Sequence, residues 1–236
     1  MKRVLIKLSG EGLASKEKSL AIDPTVVTDL VNQIKQIKEK GVQVGIVIGG
    51  GNFWRGASAE ANGIERNRAD YIGMLATIMN GLALQSSFEQ AGVDVRLYSA
   101  LRMDEKVSQT YVKEKAVASL EEGAVVIFSG GTGRPYFTTD TATTLVATEI
   151  EADTILMAKN GVDGIYDSDP RVNKDAKRFE TITWDQIIEL GLKVMDSTAA
   201  SLAKDNNTSL IVFDIKKENS LLKAIEGTNK HTKVKK

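Results

Sequence analysis

The strongest constraint on this chain is a series of short, almost wholly apolar runs, each ending in glycine or a polar turn, with helical patterns between them. Arg3-Val4-Leu5-Ile6-Lys7-Leu8 reads as a strand closed by Ser9-Gly10, and 42–48 reads as a second. Runs without apolar/polar alternation fit strands covered on both faces. Between these two, Asp23 and Pro24 supply a helix N-cap and first position. Val27, Leu30, Val31, Ile34 and Ile37 then keep one apolar face at helical spacing, and Gly41 ends the helix. The pattern continues with a helix over 70–90, a strand over 93–98, a helix over 109–121 and a strand over 124–128. Further strands follow at 154–157 and 210–213. Such alternation specifies an α/β fold, a three-layer α/β/α sandwich around a mainly parallel sheet. No proline- or serine-rich linker and no repeat divides the 236 residues, so residues 1–236 read as a single domain.

Composition removes several function classes. The 31 basic and 31 acidic side chains cancel, which argues against a nucleic-acid binder. The absence of cysteine excludes disulfides, thiolate metal sites and cysteine nucleophiles. The one histidine, His231, lies in the basic tail Lys230–Lys236, which reads as a solvated, frayed end and a poor place for a triad or a zinc site. No apolar run reaches the roughly 18 residues of a membrane span, and no leader precedes the first strand. A cytoplasmic protein without a membrane partner is expected. The 70–90 helix carries Ile72, Met74, Leu75, Ile78, Met79, Leu82 and Leu84 and is apolar nearly all round. It reads either as core or as a subunit contact, with Gly73 and Gly81 permitting close approach.

Ligands of open parallel sheets bind at the carboxyl ends of the strands. Here the first strand delivers Lys7-Leu8-Ser9-Gly10. The second delivers Gly49-Gly50-Gly51-Asn52-Phe53-Trp54-Arg55-Gly56, and the 124–128 strand delivers Ser129-Gly130-Gly131-Thr132-Gly133-Arg134-Pro135-Tyr136-Phe137-Thr138-Thr139-Asp140. Consecutive glycines let a phosphate approach backbone N–H groups, and Lys7 and Arg55 supply charge. Singly, a glycine triplet is a tight turn and a strand-end lysine is solvated; three such ends in parallel register point to a phosphorylated ligand. No Gly-Lys dipeptide occurs, so there is no Walker A loop, and the glycines do not fit G-x-G-x-x-G.

Lys-Leu-Ser-Gly-Glu at 7–11, Ile-Gly-Gly-Gly-Asn at 48–52, Ile-Gly-Met-Leu-Ala-Thr at 72–77 in the apolar helix and Gly-Thr-Gly-Arg-Pro-Tyr-Phe-Thr-Thr-Asp at 131–140 resemble the bacterial UMP kinases of the amino acid kinase family. Val-Asp-Gly-Ile-Tyr at 162–166, Asp-Pro at 169–170 and Val-Met-Asp at 194–196 extend the resemblance along nearly the whole chain. It implies transfer of the ATP γ-phosphoryl group to UMP, a Mg²⁺ requirement met through ATP, and a homohexamer. It places ATP on Lys7, Leu8, Ser9, Gly10, Gly51, Arg55, Asn160, Tyr166 and Asp169. It places UMP on Gly50, Asp70, Thr132, Gly133, Arg134, Pro135, Tyr136, Phe137, Thr138 and Thr139. Family members often carry a glycine-rich segment used in GTP activation, whereas Ser15-Lys16-Glu17-Lys18-Ser19-Leu20-Ala21-Ile22-Asp23 has none, and the usual terminal Gly-Thr-x-Val reads His231-Thr232-Lys233-Val234. UTP is a feedback candidate, because a product-like nucleotide fits a UMP site.

The mechanism expected from these residues needs no general base, since a UMP phosphate oxygen is already ionised near neutral pH. Lys7 stabilises the transferring oxygens and Asp140 orients it, either besides or instead of capping the helix that follows. The N–H groups and hydroxyls of Thr138 and Thr139 bind phosphate or the uracil edge, and Lys159 adds a second charge. One rival is another amino acid kinase acting on a carboxylate or carbamate, such as acetylglutamate or aspartate. The other is a non-catalytic UMP or UTP sensor.

Overall fold

The computed structural model describes residues 1–15, 19–55 and 63–235. Gly56, Lys16-Glu17-Lys18 and Lys236, which figure in the sequence patterns above, lie outside the described residues.

β1 (Arg3–Leu8) shows why the sheet is sandwiched. Val4, Ile6 and Leu8 enter one hydrophobic cluster and Leu5 the other, so alternate side chains of one apolar run fill two separate cores. β2 (Gln43–Ile48) divides the same way, with Val44, Ile46 and Ile48 on one face and Val47 on the opposite face. The remaining strands are β3 (Val95–Ser99), β4 (Gln109–Thr110), β5 (Val125–Ser129), β6 (Thr154–Lys159), β7 (Thr181–Thr183), β8 (Leu210–Asp214) and β9 (His231–Lys235). Among the described residues they form one sheet in the order β4-β3-β5-β2-β1-β6-β8-β9-β7. Every pairing is parallel except β8 with β9.

Seven helices cover the faces of the described sheet. α1 (Pro24–Glu39), α2 (Arg66–Gln90) and α7 (Ser220–Glu226) pack over the first cluster. α3 (Lys113–Glu121), α4 (Thr139–Glu149), α5 (Trp184–Glu189) and α6 (Ser197–Asp205) pack over the second. α1 begins as the sequence predicts: Pro24 is its first residue and the Asp23 carboxylate accepts from the Thr25 N–H at 2.9 Å.

Three expectations change. The region 109–121 splits, because Gln109 and Thr110 add an edge strand to β3 and the helix starts only at Lys113. The basic tail is a strand rather than a frayed end. Val234 and Thr232 point inward and are fully buried, while Lys233 between them and Lys235 beyond keep their charges in water. α2 is not buried all round: Met74, Ile78, Leu84 and Phe88 face the core, but Tyr71, Ile72, Leu75, Met79 and Leu82 are 37–50% exposed. Gly81 is needed inside the molecule, since a Cβ there would sit 2.7 Å from the Leu97 side chain on β3.

Candidate active site

The strand order places β5, β2, β1 and β6 side by side and parallel, so their carboxyl-end loops share one edge. The three glycine-bearing turns read from the sequence therefore become neighbours. Gly10 packs directly on the β2 loop, where an added Cβ would lie 2.7 Å from the Gly49 oxygen and 2.9 Å from the Gly51 nitrogen. After β5, Gly130, Gly131 and Gly133 all adopt left-handed φ values of +58° to +76°, which glycine tolerates without the usual side-chain clash. Together they turn the chain back over the sheet edge toward α4.

Lys7 reaches from β1 to Asp140 on the first turn of α4, Nζ to Oδ1 at 2.8 Å, a charge contact rather than an aligned hydrogen bond. The N-cap of α4 is Thr138, whose hydroxyl accepts from the Asp140 and Thr141 N–H groups at 3.1 and 3.3 Å. Asp140 is thus freed from capping and sits where the helix dipole favours a carboxylate. The hydroxyl hydrogen of Thr138 is also committed, because it donates to Asp196. A nucleotide oxygen meets the Thr138 hydroxyl only by displacing that carboxylate, which narrows the role expected for this residue.

Lys159, at the end of β6, donates to the Val194 carbonyl at 2.7 Å. Burial, reinforced by the Lys7 ammonium, pushes its own ammonium below the ordinary lysine range, and Asp140 opposes that shift. Lys7 thus pairs with Asp140 while Lys159 only feels that carboxylate's field, at the meeting of β1, β6 and α4. With two cations against one carboxylate, the arrangement can take up a further dense anionic charge.

A cleft opens beside this cluster between α2 and the loop after β5. Its walls include Gly50, Gly51, Asp70, Thr132, Arg134, Phe137, Thr138 and Thr139. Gly133 turns the loop behind that wall, with its Cβ position 2.9 Å from the Ala100 oxygen. Pro135 and Tyr136 are not among the cleft's walls; Tyr136 is exposed, with a φ of +70°. Its N–H donates to the Asp70 carboxylate at 2.8 Å, and Arg66 donates to that carboxylate at 3.0 Å. Asp70 thereby ties the loop to α2.

On the other side, Leu8, Ser9 and Gly10 lead from β1 into a short 3₁₀ turn (Gly10–Leu13). Arg55 pairs with the Glu11 carboxylate and is well exposed. Asn160, Tyr166 and Asp169 lie on the loop after β6. Tyr166 donates to Asp163 at 2.6 Å, and that bond is the main reason its hydroxyl ionises less readily than usual. Asp169 pairs with Arg171 at 3.1 Å, which holds its carboxyl below the usual range. The tail strand braces this loop: the Thr232 hydroxyl accepts from the Ile165 N–H and donates to the Phe179 carbonyl. Gly164 is bare because a Cβ there would lie 2.5 Å from that hydroxyl.

Sequence reasoning missed Trp54, Thr77, Asn80 and Asp196. Trp54 donates from its indole to the Ala69 carbonyl at 2.9 Å and forms one wall of the cleft. The signal for Asp196 was present in Val-Met-Asp, but nothing local tells that it caps α6 and holds Thr138 at once.

A model of the amino acid kinase family matches residues 2–214. The chain is 61% identical over 233 residues to the uridylate kinase of Mycoplasmopsis pulmonis, spanning 99% of this chain and 96% of that protein. It is 63% identical to the uridylate kinase of Mycoplasmopsis synoviae, spanning 99% and 98%. Among solved structures, the UMP kinase of Ureaplasma parvum superposes with a TM-score of 0.95 at 43% identity, covering 100% of this chain and 99% of the other. The UMP kinase of Bacillus anthracis gives 0.93 at 37% identity, covering 99% and 96%.

Proposed function

The chain belongs to the amino acid kinase family, and from that footing we infer that it transfers the γ-phosphoryl group of ATP to the phosphate of UMP, releasing ADP and UDP. The observation that carries this is the Lys7–Asp140 contact at the junction of a charged strand-end cluster and the cleft formed by residues 132–139 and α2. Relatives that match end to end at 55–63% identity are uridylate kinases.

The proposed division of the site follows the sheet. ATP phosphates rest on Lys7, Leu8, Ser9, Gly10, Gly51 and Arg55, with the adenosine toward Asn160, Tyr166 and Asp169. UMP lies against Gly50, Asp70 and the 132–139 loop, and meets ATP at Lys7. Asp140 holds Lys7 in line, and Lys159 shares the charge of the transferring group. Arg55 must leave Glu11 to reach phosphate, an inexpensive exchange for an exposed pair. Among the described residues no three carboxylates or imidazoles gather as a cation cage. A magnesium ion would arrive with the ATP phosphates, where it would neutralise charge.

The exposed stripe of Tyr71, Ile72, Leu75, Met79 and Leu82 on α2 supports a homo-oligomer, for which the family resemblance suggests a hexamer. We place the enzyme in the cytoplasm with its nucleotides; no helix among the described residues is long and apolar enough to cross a membrane.

A coupled ADP-release assay tests the activity. Release is expected with ATP, magnesium and UMP, and not with acetylglutamate or aspartate in its place. No release with UMP rejects the assignment: release with acetylglutamate or aspartate then favours the other amino acid kinases, and release with none of them the sensor. Selectivity arises where polar groups of the 132–139 loop pair with the uracil edge and would be stranded by another base. CMP and AMP should therefore be disfavoured by about 10²-fold or more in kcat/KM. Equal turnover of the three nucleotides contradicts that origin.

Lys159 predicts a pH limb. Its charged form attracts phosphate, and burial lowers the pH at which the proton leaves. So kcat/KM for ATP should fall on the alkaline side below the 10.5 of a free lysine. Lys159→Arg should push that fall beyond the accessible range. A flat profile to pH 10 in the parent enzyme speaks against ATP capture depending on a Lys159 that loses its proton early.

A further inference from the structure

α2 is an apolar helix with two polar residues on its buried side. Thr77 is 4% exposed and Asn80 is fully buried. They stand at i and i+3, hence on one face. A helix that needed only to pack would gain by carrying alanine or leucine at these positions, since asparagine and threonine are weaker helix formers and their polar atoms are costly to bury. Here none of those atoms is stranded, and apart from one bond within the helix their partners lie at the active edge of the sheet.

Thr77 donates its hydroxyl hydrogen to the Met74 carbonyl one turn back, at 2.7 Å, and accepts from the Gly130 N–H, also at 2.7 Å. Gly130 opens the loop that carries residues 132–139. Asn80 donates to the Gly49 carbonyl at 2.7 Å and to the Asn52 side-chain oxygen at 2.8 Å. Asn52 returns a bond to the Asn80 oxygen at 2.9 Å and sends its other hydrogen to the Ala21 carbonyl at 2.8 Å. The two amides form a closed ring that exhausts the hydrogens of both, and its ends clamp the first and last residues of Gly49-Gly50-Gly51-Asn52. The helix backbone also abuts the loop, because a Cβ on Gly50 would meet the Ala76 Cβ and the Gly73 oxygen at 2.8 Å.

We infer that Thr77 and Asn80 are positioning residues which hang the loop after β5 and the glycine loop after β2 from one rigid helix, fixing the distance between the two nucleotide sites. Thr77 also lines the cleft, but both of its hydroxyl's bonds are taken by backbone groups; each residue acts by setting the backbone of a loop at the site. The inference rests on the reading of the cleft as the UMP site and of the β1–β2 edge as the ATP site. Loop displacement of an ångström is enough to upset an in-line transfer.

The two bonds act on different loops, so they predict different kinetic signatures. Thr77→Val keeps the shape but leaves the Gly130 N–H without its acceptor, a defect equivalent to about tenfold or more. The KM for UMP should rise by about that factor while the KM for ATP stays within about twofold, and Thr77→Ser, which keeps the hydroxyl, should behave as the parent. Asn80→Ala releases the glycine loop beneath both phosphates and should lower kcat by about tenfold or more. Thermal midpoints are measured on the same preparations. The inference is overturned by a folded Thr77→Val with both KM values unchanged, by a Thr77→Ser as impaired as Thr77→Val, or by a stability loss with parental kinetics. If Thr77→Val does not fold, an unchanged kcat in folded Asn80→Ala overturns it equally. A parent enzyme without UMP-dependent ADP release sinks the functional reading instead, whatever the variants do.

Discussion

Lys7→Ala is expected to lose about 10²–10³ in kcat while the protein stays folded, because the loss removes one preorganised charge from the transferring group. The fold should survive for a structural reason. Lys7 lies at the carboxyl end of β1, and its backbone pairings to β2 and β6 do not depend on the side chain. What changes is electrostatic: Asp140 loses its partner at 2.8 Å, leaving Lys159 as the remaining cation of the cluster. Steady-state kinetics at saturating ATP and UMP, with circular dichroism on the same sample, decide the matter. A variant that keeps near-parental kcat would remove Lys7 from the chemistry. Asp140→Asn should show a smaller loss of the same kind, since the amide can still touch Lys7 but cannot balance its charge.

Gly10→Ala is expected to cost about 10²-fold in kcat/KM for both substrates, and it acts through space rather than through charge. The new methyl would stand 2.3 Å from the Asn52 side-chain oxygen, 2.7 Å from the Gly49 carbonyl and 2.9 Å from the Gly51 nitrogen. The last two are backbone atoms and cannot rotate away, so the β1 and β2 loops must part. Forced overpacking of this kind also lowers stability, by about 1–3 kcal/mol. Gly12→Ala is the matched control. Its methyl would meet nothing closer than the Ser9 hydroxyl at 3.4 Å, and its kinetics should be close to parental. Gly10→Ala within twofold of the parent would mean that the two loops do not need their close contact.

The elements that depend on local chemistry were legible. Asp23-Pro24 starts α1 because a short acceptor and a fixed φ have the same effect in any context. Apolar runs such as Val4 to Leu8 become interior strands because each successive side chain has a core to enter. The glycines of 49–51 and 130–133 marked the strand ends where a backbone comes close to something. The edge pairing of Gln109–Thr110 was not legible, because two polar residues carry no periodic signal and pair only because β3 lies beside them. The tail misled through its charge. Thr232 and Val234 alternate with lysines, and alternation over so few residues resembles a solvated end until β8 and β7 are placed on either side.

By itself, then, the chain determined its strand-and-helix alternation, its glycine turns and the residue types a phosphate would need, since these follow from burial period, backbone freedom and charge. Tertiary structure alone decided that β6 returns to the far side of β1, that Thr138 rather than Asp140 caps α4, and that Thr77 and Asn80 face the loops instead of the core. Those outcomes depend on pairings between segments far apart in the chain. A threonine or an asparagine carries the same hydrogen-bonding capacity wherever it points, and only the packed sheet fixes which partner it finds.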